Sequence, residues 1–243
     1  MLLLSTKKDI WDSGDGPKVS HKEQLMKYKC LILDHDDTVV KSTPAIHYPS
    51  FVEALKSLRP KVELSLNDFV NYCFAPGFVE LCTDIMKFNE TEQEYQYKIW
   101  KDYVNENSPD FYPGFPELIK DYKSSGGIIC VATHSESRHI IRDYTLHCDG
   151  IIPDLIFGWD MEESKRKPSP YPIVETMKSF NLKNTEMLVL DDLKPGLTMA
   201  RSCSVEFAAA GWSHGVPEIE DYMRNNSDYY FSTVDEFREF ILG

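Results

Sequence analysis

A chain of 243 residues with a formal net charge of −13 is too acidic to favour nucleic acid or an anionic membrane as a partner, because both would repel it at long range. Its 42% hydrophobic and 27% charged residues are ordinary for a folded globular protein, and no apolar run is long enough to cross a bilayer. A small anionic partner would therefore need local positive groups, such as a lysine, backbone amides or a divalent cation.

Residues 1–28 are polar and rich in turn-forming residues, so we expect an arm before the domain proper. The start of the chain has neither a cationic leader nor a small-residue cleavage site, and no signal peptide is predicted. The six cysteines are scattered without a Cys-x-x-Cys pair, which favours reduced thiols in a reducing compartment. A cytoplasmic location is therefore expected.

Short apolar runs that alternate with helical patterns predict a parallel sheet. The run from Cys30 to Leu33 is continuous, as in a strand buried on both faces, and it ends at Asp34. Further runs lie at 128–132, 155–157, 187–190 and 205–210, and helical patterns lie at 115–123, 136–146, 171–180 and 193–202. This alternation predicts an α/β fold with a Rossmann-like parallel sheet and helices on both faces.

The interval from about 43 to 110 interrupts the alternation. It contains three or four helix-length patterns and no convincing strand, with turn signals at Arg59-Pro60, Ala75-Pro76-Gly77 and Ser108-Pro109. The predicted organisation is an arm at 1–28, an α/β core at 29–42 and 111–243, and an inserted all-helical module at 43–110.

Polar side chains follow several of the predicted strands. In an open α/β sheet, ligands bind outside the carboxyl ends of the strands. Asp34 and Asp36 are two residues apart in an extended segment, so both can face one pocket while His35 faces away. The candidate residues at this edge are Asp34, Asp36, Thr133, Lys165 or Lys167, Asp191 and Asp192.

This set of residues suits phosphoryl transfer. One carboxylate can attack phosphorus to form an acyl phosphate, and a second can protonate the leaving oxygen and then deprotonate water. Two carboxylates would repel a phosphate dianion unless a cation intervened, and Mg²⁺ prefers such oxygen ligands. Each residue alone is more simply explained as a turn, a helix cap or a solvated loop. Their joint occurrence at three strand ends and one adjoining loop is improbable by chance.

The chain from about Cys30 onward resembles the haloacid dehalogenase-like superfamily, in the helical-cap branch that includes phosphoglycolate phosphatases and β-phosphoglucomutases. Four motifs occur in the family's order. They are Asp34-His35-Asp36-Asp37-Thr38, Val131-Ala132-Thr133, Lys167-Pro168-Ser169-Pro170, and the run 188–196 that contains Asp191-Asp192.

The resemblance implies a role for each matching residue. Asp34 would be the nucleophile and Asp36 the general acid/base, while Thr133 and Lys167 would bind the phosphoryl group. Lys167 is preferred to Lys165 because the Pro-x-Pro motif follows it directly. The insertion would be the cap that closes over the substrate, and the implied function is a phosphatase acting on a small phosphorylated metabolite.

The resemblance also implies Mg²⁺, held by Asp34, the backbone carbonyl of Asp36 and Asp192, with Asp191 nearby. One position departs from the family pattern, because Asp37 stands where the family usually has Gly. Asp tolerates a left-handed backbone better than most residues, so the turn can form, but the extra carboxylate can alter the metal site.

Two alternatives stay open. A phosphosugar mutase shares the same machinery and would return the phosphoryl group to an intermediate, with His47 placed where a cap contact could occur. A non-catalytic phosphate-binding protein is less favoured, because the catalytic residues are all present. No zinc site is predicted at His134 and His139, which are five residues apart and do not share a helical face. Trp100 and its neighbouring aromatic residues are assigned to packing in the insertion.

Overall fold

The structure, a computed structural model, describes residues 26–243. The predicted arm at 1–28 lies outside these residues except for its last three, of which Tyr28 is buried and donates a hydrogen bond to Glu206 at 2.5 Å. In the described part of the chain no helix is long and apolar enough to cross a membrane.

Residues 26–243 contain one six-stranded parallel sheet in the order β3-β2-β1-β4-β5-β6. The strands are β1 Cys30–Leu33, β2 Ile128–Ala132, β3 Leu155–Phe157, β4 Met187–Asp191, β5 Glu206–Ala210 and β6 Tyr229–Phe231. The first five confirm the predicted runs. The sixth was not predicted; it is a run of three aromatic residues, all half-buried, at one edge of the sheet.

Helices fill the interval between β1 and β2, as the sequence predicts. They are α1 Tyr48–Leu58, α2 Leu66–Tyr72, α3 Phe78–Glu80 and α4 Glu90–Glu106, with π-helical turns at Thr43–His47, Cys73–Gly77 and Leu81–Ile85. Ser65 caps α2 by accepting the N–H of Asp68, and Asn89 forms a capping box with Glu92 at the start of α4. Phe51, Phe69 and Leu81 help to form a separate apolar core. This module is the cap, and 43–110 remain our proposed boundaries.

Within residues 26–243, six α-helices cover both faces of the sheet. They are α5 Phe115–Ser124, α6 Ser137–His147, α7 Tyr171–Phe180, α8 Lys194–Ser202, α9 Pro217–Asn226 and α10 Val234–Leu242. Alternate residues of β1 point to opposite faces, so Leu31 and Leu33 pack in one apolar cluster while Cys30 and Ile32 pack in the other. Because these side chains are fully buried, truncating one of them, as in Leu33→Ala, costs about 2–5 kcal/mol.

The two connections between core and cap run side by side. The N–H of Lys41 donates to the carbonyl of Asp110 at 2.9 Å, and the N–H of Tyr112 donates to the carbonyl of Val39 at 2.9 Å. Val40 and Phe111 form an antiparallel bridge between them. The cap therefore leaves and rejoins the core at one hydrogen-bonded point.

Strand register aligns the residues that follow the strands. Leu33 is the partner of both Val131 on β2 and Leu190 on β4. Asp34, Thr133 and Asp192 therefore emerge at the same edge of the sheet, as parallel strands require.

Candidate active site

Lys167 lies between two carboxylates at the carboxyl edge of the sheet. Its Nζ donates to Asp34 Oδ1 at 2.5 Å and to Asp191 Oδ2 at 2.7 Å, and all three residues are buried. Burial raises the pKa of Asp34 to about 7 and that of Asp191 to about 6, although Lys167 opposes both shifts. Lys165 instead pairs with Glu162 at 2.9 Å and is partly exposed. The geometry therefore brings Lys167, and not Lys165, to the predicted nucleophile.

The carboxylate of Asp36 accepts hydrogen bonds from three side chains. Ser135 Oγ donates at 2.7 Å and Thr133 Oγ1 at 3.2 Å to Oδ2, while His47 Nε2 lies 3.1 Å from Oδ1. Burial opposes ionisation, but the contacts with His47 and Ser135 outweigh it and hold the pKa of Asp36 well below its ordinary value. Asp36 is thus a charged acceptor in this conformation. Ser135 was not predicted as a site residue, since its position suggested only a helix start.

The cap reaches Asp36 through two side chains. Trp100 Nε1 on α4 lies 3.0 Å from His47 Nδ1, and the two rings stack. Because indole N–H is only a donor, Nδ1 must accept, and the imidazole proton is on Nε2 facing Asp36. The assignment of Trp100 to simple packing therefore missed a contact with the site.

Asp192 contacts residues from two other loops. Thr38 Oγ1 lies 3.1 Å from Asp192 Oδ1 and 3.2 Å from Asp34 Oδ2, while His214 Nε2 lies 2.5 Å from Asp192 Oδ2. His214 follows β5, and no motif in the sequence singles it out.

Asp37 stands where the family usually has Gly, and its backbone is left-handed, with φ 58°. Its Oδ1 accepts the N–H of Thr43 at 3.0 Å, and Thr43 begins the π-helical turn that leads into the cap.

One glycine of the fourth motif is needed because of close packing. At Gly196 on α8 an added Cβ would collide with the carboxylate of Asp191. The absence of a side chain lets that carboxylate stay against Lys167.

The remaining histidines near the motifs have other partners. His35 points away from the site, as predicted, and pairs with Asp143 at 3.2 Å. His134 Nε2 contacts the carbonyl of Lys167 at 3.0 Å, and His139 Nε2 contacts Asn105 at 3.3 Å.

The donor set fits a hard divalent cation. Carboxylate oxygens of Asp34, Asp191 and Asp192 lie within 4.8 Å of one another, and all three residues are buried. Burial raises the pKa of each, and repulsion from the neighbouring carboxylates raises it further, against Lys167 at Asp34 and Asp191 and against His214 at Asp192. Oxygen ligands in this number suit Mg²⁺.

The sheet, the cap and the order of these motifs define a haloacid dehalogenase-like hydrolase. The sequence profile of that family matches residues 31–210, and the chain belongs to it.

The individual relatives have low sequence identity to this chain. A provisionally named pyrophosphatase, PpaX, of Caldanaerobacter subterraneus subsp. tengcongensis is 25% identical over 90% of this chain and 96% of its own. A phosphoglycolate phosphatase of Haemophilus influenzae is 23% identical over 88% and 97%. The crystal structure of a predicted phosphoglycolate phosphatase from Haemophilus somnus superposes with a TM-score of 0.71 at 20% identity, covering 88% of this chain and 98% of that one.

Proposed function

We propose that this protein is a Mg²⁺-dependent phosphatase that hydrolyses a small phosphate monoester through an aspartyl phosphate on Asp34. The observation that carries the proposal is the convergence of a buried lysine, two strand-end carboxylates and a third, hydrogen-bonded carboxylate. Lys167 lies 2.5 Å from Asp34, and Asp36 is two residues further on, beside Thr133. This is the arrangement that a nucleophile and a separate acid/base require.

The two half-reactions use different carboxylates. An oxygen of Asp34 attacks phosphorus while the ester P–O bond breaks. Asp36 gives a proton to the leaving oxygen, so in this half-reaction it must carry that proton against the contacts that favour its ionised form. Ionised Asp36 then takes a proton from water, which attacks phosphorus and breaks the bond to Asp34. The three donors around Asp36 favour the ionised state that the second half-reaction needs.

Charge at the phosphoryl group is neutralised by groups from several loops. Lys167 and the hydroxyl of Thr133 would bind its oxygens. Asp34, the backbone carbonyl of Asp36 and Asp192 would hold Mg²⁺, with Asp191 nearby. When bound, the cation supplies positive charge that lets a phosphate dianion approach Asp34.

The relatives and the net charge both support a small phosphorylated substrate. A phosphoglycolate phosphatase and a provisionally named pyrophosphatase among the relatives support a small phosphorylated metabolite. The charge of −13 disfavours a polyanionic macromolecule. All six cysteines are free thiols, which supports the cytoplasmic location expected from the sequence.

Phosphate release from a panel of monoesters and pyrophosphate, with and without Mg²⁺, tests the proposal. We expect Mg²⁺-dependent release by the wild type and none by Asp34→Asn, which keeps the shape of the side chain but cannot attack phosphorus. Asp149→Asn is the matched control, because Asp149 forms an exposed pair with Lys120. Release by Asp34→Asn at the wild-type rate would eliminate the covalent mechanism. Conserved total ester with a relocated phosphate would identify a mutase instead.

A further inference from the structure

A small cavity lies beside Asp36, between the core and the cap. It has room for one water-sized group, about 10 Å³, and Ile46 and Val104 of the cap are among the residues that line it. Its polar lining includes three residues on one face of the core helix α6, namely His139, Arg142 and Asp143. The predicted nucleophile and the predicted phosphoryl-binding residues do not line it. The cavity therefore adjoins the proposed acid/base on the side of the leaving group.

Buried polar atoms without a partner are concentrated around this cavity. In residues 26–243, six buried side-chain nitrogen or oxygen atoms have no hydrogen-bond partner, and four of them belong to residues that line it. They are His35 Nδ1, Ser42 Oγ, His139 Nδ1 and Arg142 Nη2. His35, Ser42 and His139 are each at most 5% exposed. Because a buried polar atom without a partner costs free energy, this concentration indicates a polar ligand.

Neighbouring contacts hold these polar groups in fixed orientations. Arg142 Nε donates to Asp143 Oδ1 at 2.7 Å, and Arg142 Nη1 donates to the carbonyl of Val104 at 2.7 Å, so Nη2 is left for a ligand. Asp143 Oδ2 lies 3.2 Å from His35 Nε2, which leaves His35 Nδ1 free. One carboxylate therefore orients both side chains before a ligand binds, which lowers the entropic cost of binding.

The unpartnered atoms include both donors and acceptors. Arg142 Nη2 can only donate, and the hydroxyl of Ser42 can do either. Asn105 Oδ1 accepts from Arg138 Nη2 at 3.0 Å and lies 3.3 Å from His139 Nε2, so the imidazole proton is on Nε2. Burial lowers the pKa of His139, which favours the neutral ring and leaves Nδ1 as an acceptor. A ligand in this cavity must therefore both donate and accept.

A hydroxyl group meets this requirement, because it can accept from Arg142 Nη2 and donate to His139 Nδ1. A carboxylate can only accept, so it would leave the lone pair of His139 without a donor. The positive side chains of the lining already pair with carboxylates, namely Arg142 and His35 with Asp143, and His47 with Asp36. The cavity therefore suits an uncharged hydroxyl better than an anion.

We propose that this cavity binds a hydroxyl group on the leaving part of the substrate, so that the preferred substrate is the monophosphate of a polyol or sugar and not of a hydroxy acid. The inference rests on the proposed phosphatase function, which places the leaving oxygen beside Asp36. His139 and Arg142 are the residues that determine this specificity, and both belong to the core helix α6 and not to the cap.

Binding of three esters to the full-length Asp34→Asn variant, with Mg²⁺ present, tests the proposal independently of turnover. The esters are glycerol 3-phosphate, propyl phosphate, which lacks the hydroxyl groups, and phosphoglycolate, which has a carboxylate instead. We expect isothermal titration calorimetry to show that glycerol 3-phosphate binds about tenfold more tightly than either of the others. A site with buried polar atoms rejects an analogue that leaves those atoms unpaired.

Substitution of His139 tests the assignment of the acceptor. In the same Asp34→Asn background, His139→Leu should lower the preference for glycerol 3-phosphate over propyl phosphate by about two- to tenfold, since one hydrogen bond is lost. Ser42→Ala removes another unpartnered atom and carries the test if His139→Leu does not fold. Thr145→Val is the matched control, because Thr145 is exposed on α6 and its hydroxyl donates to the carbonyl of Ile141 on the same helix.

Equal affinity for glycerol 3-phosphate and propyl phosphate would overturn the proposal, and so would tighter binding of phosphoglycolate. A preference that persists unchanged in the His139 and Ser42 variants would overturn it as well. Phosphate release by the wild type without any such preference would remove only the hydroxyl-binding site. The expected preference in Asp34→Asn, without phosphate release from any ester by the wild type, would remove only the phosphatase function.

Discussion

At the scale of single residues, Asp36, the candidate acid/base in the core, depends on a side chain from the cap. His47 contacts Asp36 at 3.1 Å, and the tautomer of His47 is fixed by the indole N–H of Trp100. The protonation state beside Asp36 is therefore set by the cap as well as by the core.

Replacing Trp100 by Phe tests this dependence. The ring that stacks on His47 is kept, but the donor to Nδ1 is lost, so the imidazole can turn its proton away from Asp36. We expect kcat/KM for phosphate release to fall by about two- to tenfold, which corresponds to the loss of one hydrogen bond. Tyr97→Phe is the control, because the ring of Tyr97 packs beside Trp100, with ring centroids 5.5 Å apart, and makes no hydrogen bond to His47. Equal activity of Trp100→Phe and wild type would show that the indole N–H has no role.

At the scale of secondary-structure elements, sequence patterns found the interior of the sheet better than its border. The continuous apolar runs of β1, β2 and β4 are diagnostic because both of their faces are buried. The edge strand β6 and the helices α9 and α10 were missed. Tyr229–Phe231 is half-buried, so only its pairing with β5 makes it a strand.

The same distinction applies to the candidate site. Motif residues that directly follow predicted strands, such as Asp34, Thr133 and Asp192, were predicted because strand ends meet at one edge. Trp100 and His214 were not, since each reaches the site from a separate segment and only the packed fold brings them together. Ser135 was missed because its position, two residues after Thr133, suggested a helix start.

The start of α8 provides a prediction at this scale. In Gly196→Ala the new methyl group must displace the Asp191 carboxylate from Lys167. We expect the free energy of unfolding to fall by about 1–3 kcal/mol, as for other overpacked sites, together with weaker phosphate release. Gly215→Ala is the control, because no atom lies within 4 Å of its added Cβ. Urea denaturation measures the free energy of unfolding of both variants. Equal stability of Gly196→Ala and Gly215→Ala would contradict the packing argument.

At the scale of the whole molecule, the buried carboxylates link stability to pH. The pKa values of Asp34 and Asp191, about 7 and about 6, exceed the ordinary value of 3.8. Between pH 3.8 and about 7, the metal-free folded protein therefore binds more protons than the unfolded chain. Their contribution to stability is therefore present at low pH and is lost as the pH rises through 7. His134 acts in the opposite direction, because burial lowers its pKa to about 4.

Mg²⁺ should reverse that loss. The cation needs ionised carboxylates, so its stabilising effect should be small at about pH 5 and large at about pH 8. Thermal unfolding midpoints with Mg²⁺ and with chelator, compared at each pH, measure the effect and cancel the contribution of His134. An equal shift at both pH values would mean that the cation does not bind these carboxyls.

The paired connections at Lys41 and Asp110 affect which insertions the core can accept during evolution. Because the insertion begins and ends at one hydrogen-bonded point, a short turn could join its two ends, and the entropy of loop closure depends only weakly on the length of what lies between them. The strand order and the residues at the sheet edge do not depend on the insertion's size. Insertions of other lengths and shapes can therefore be exchanged at this position during evolution, so that substrate choice diverges while the reaction chemistry is inherited unchanged.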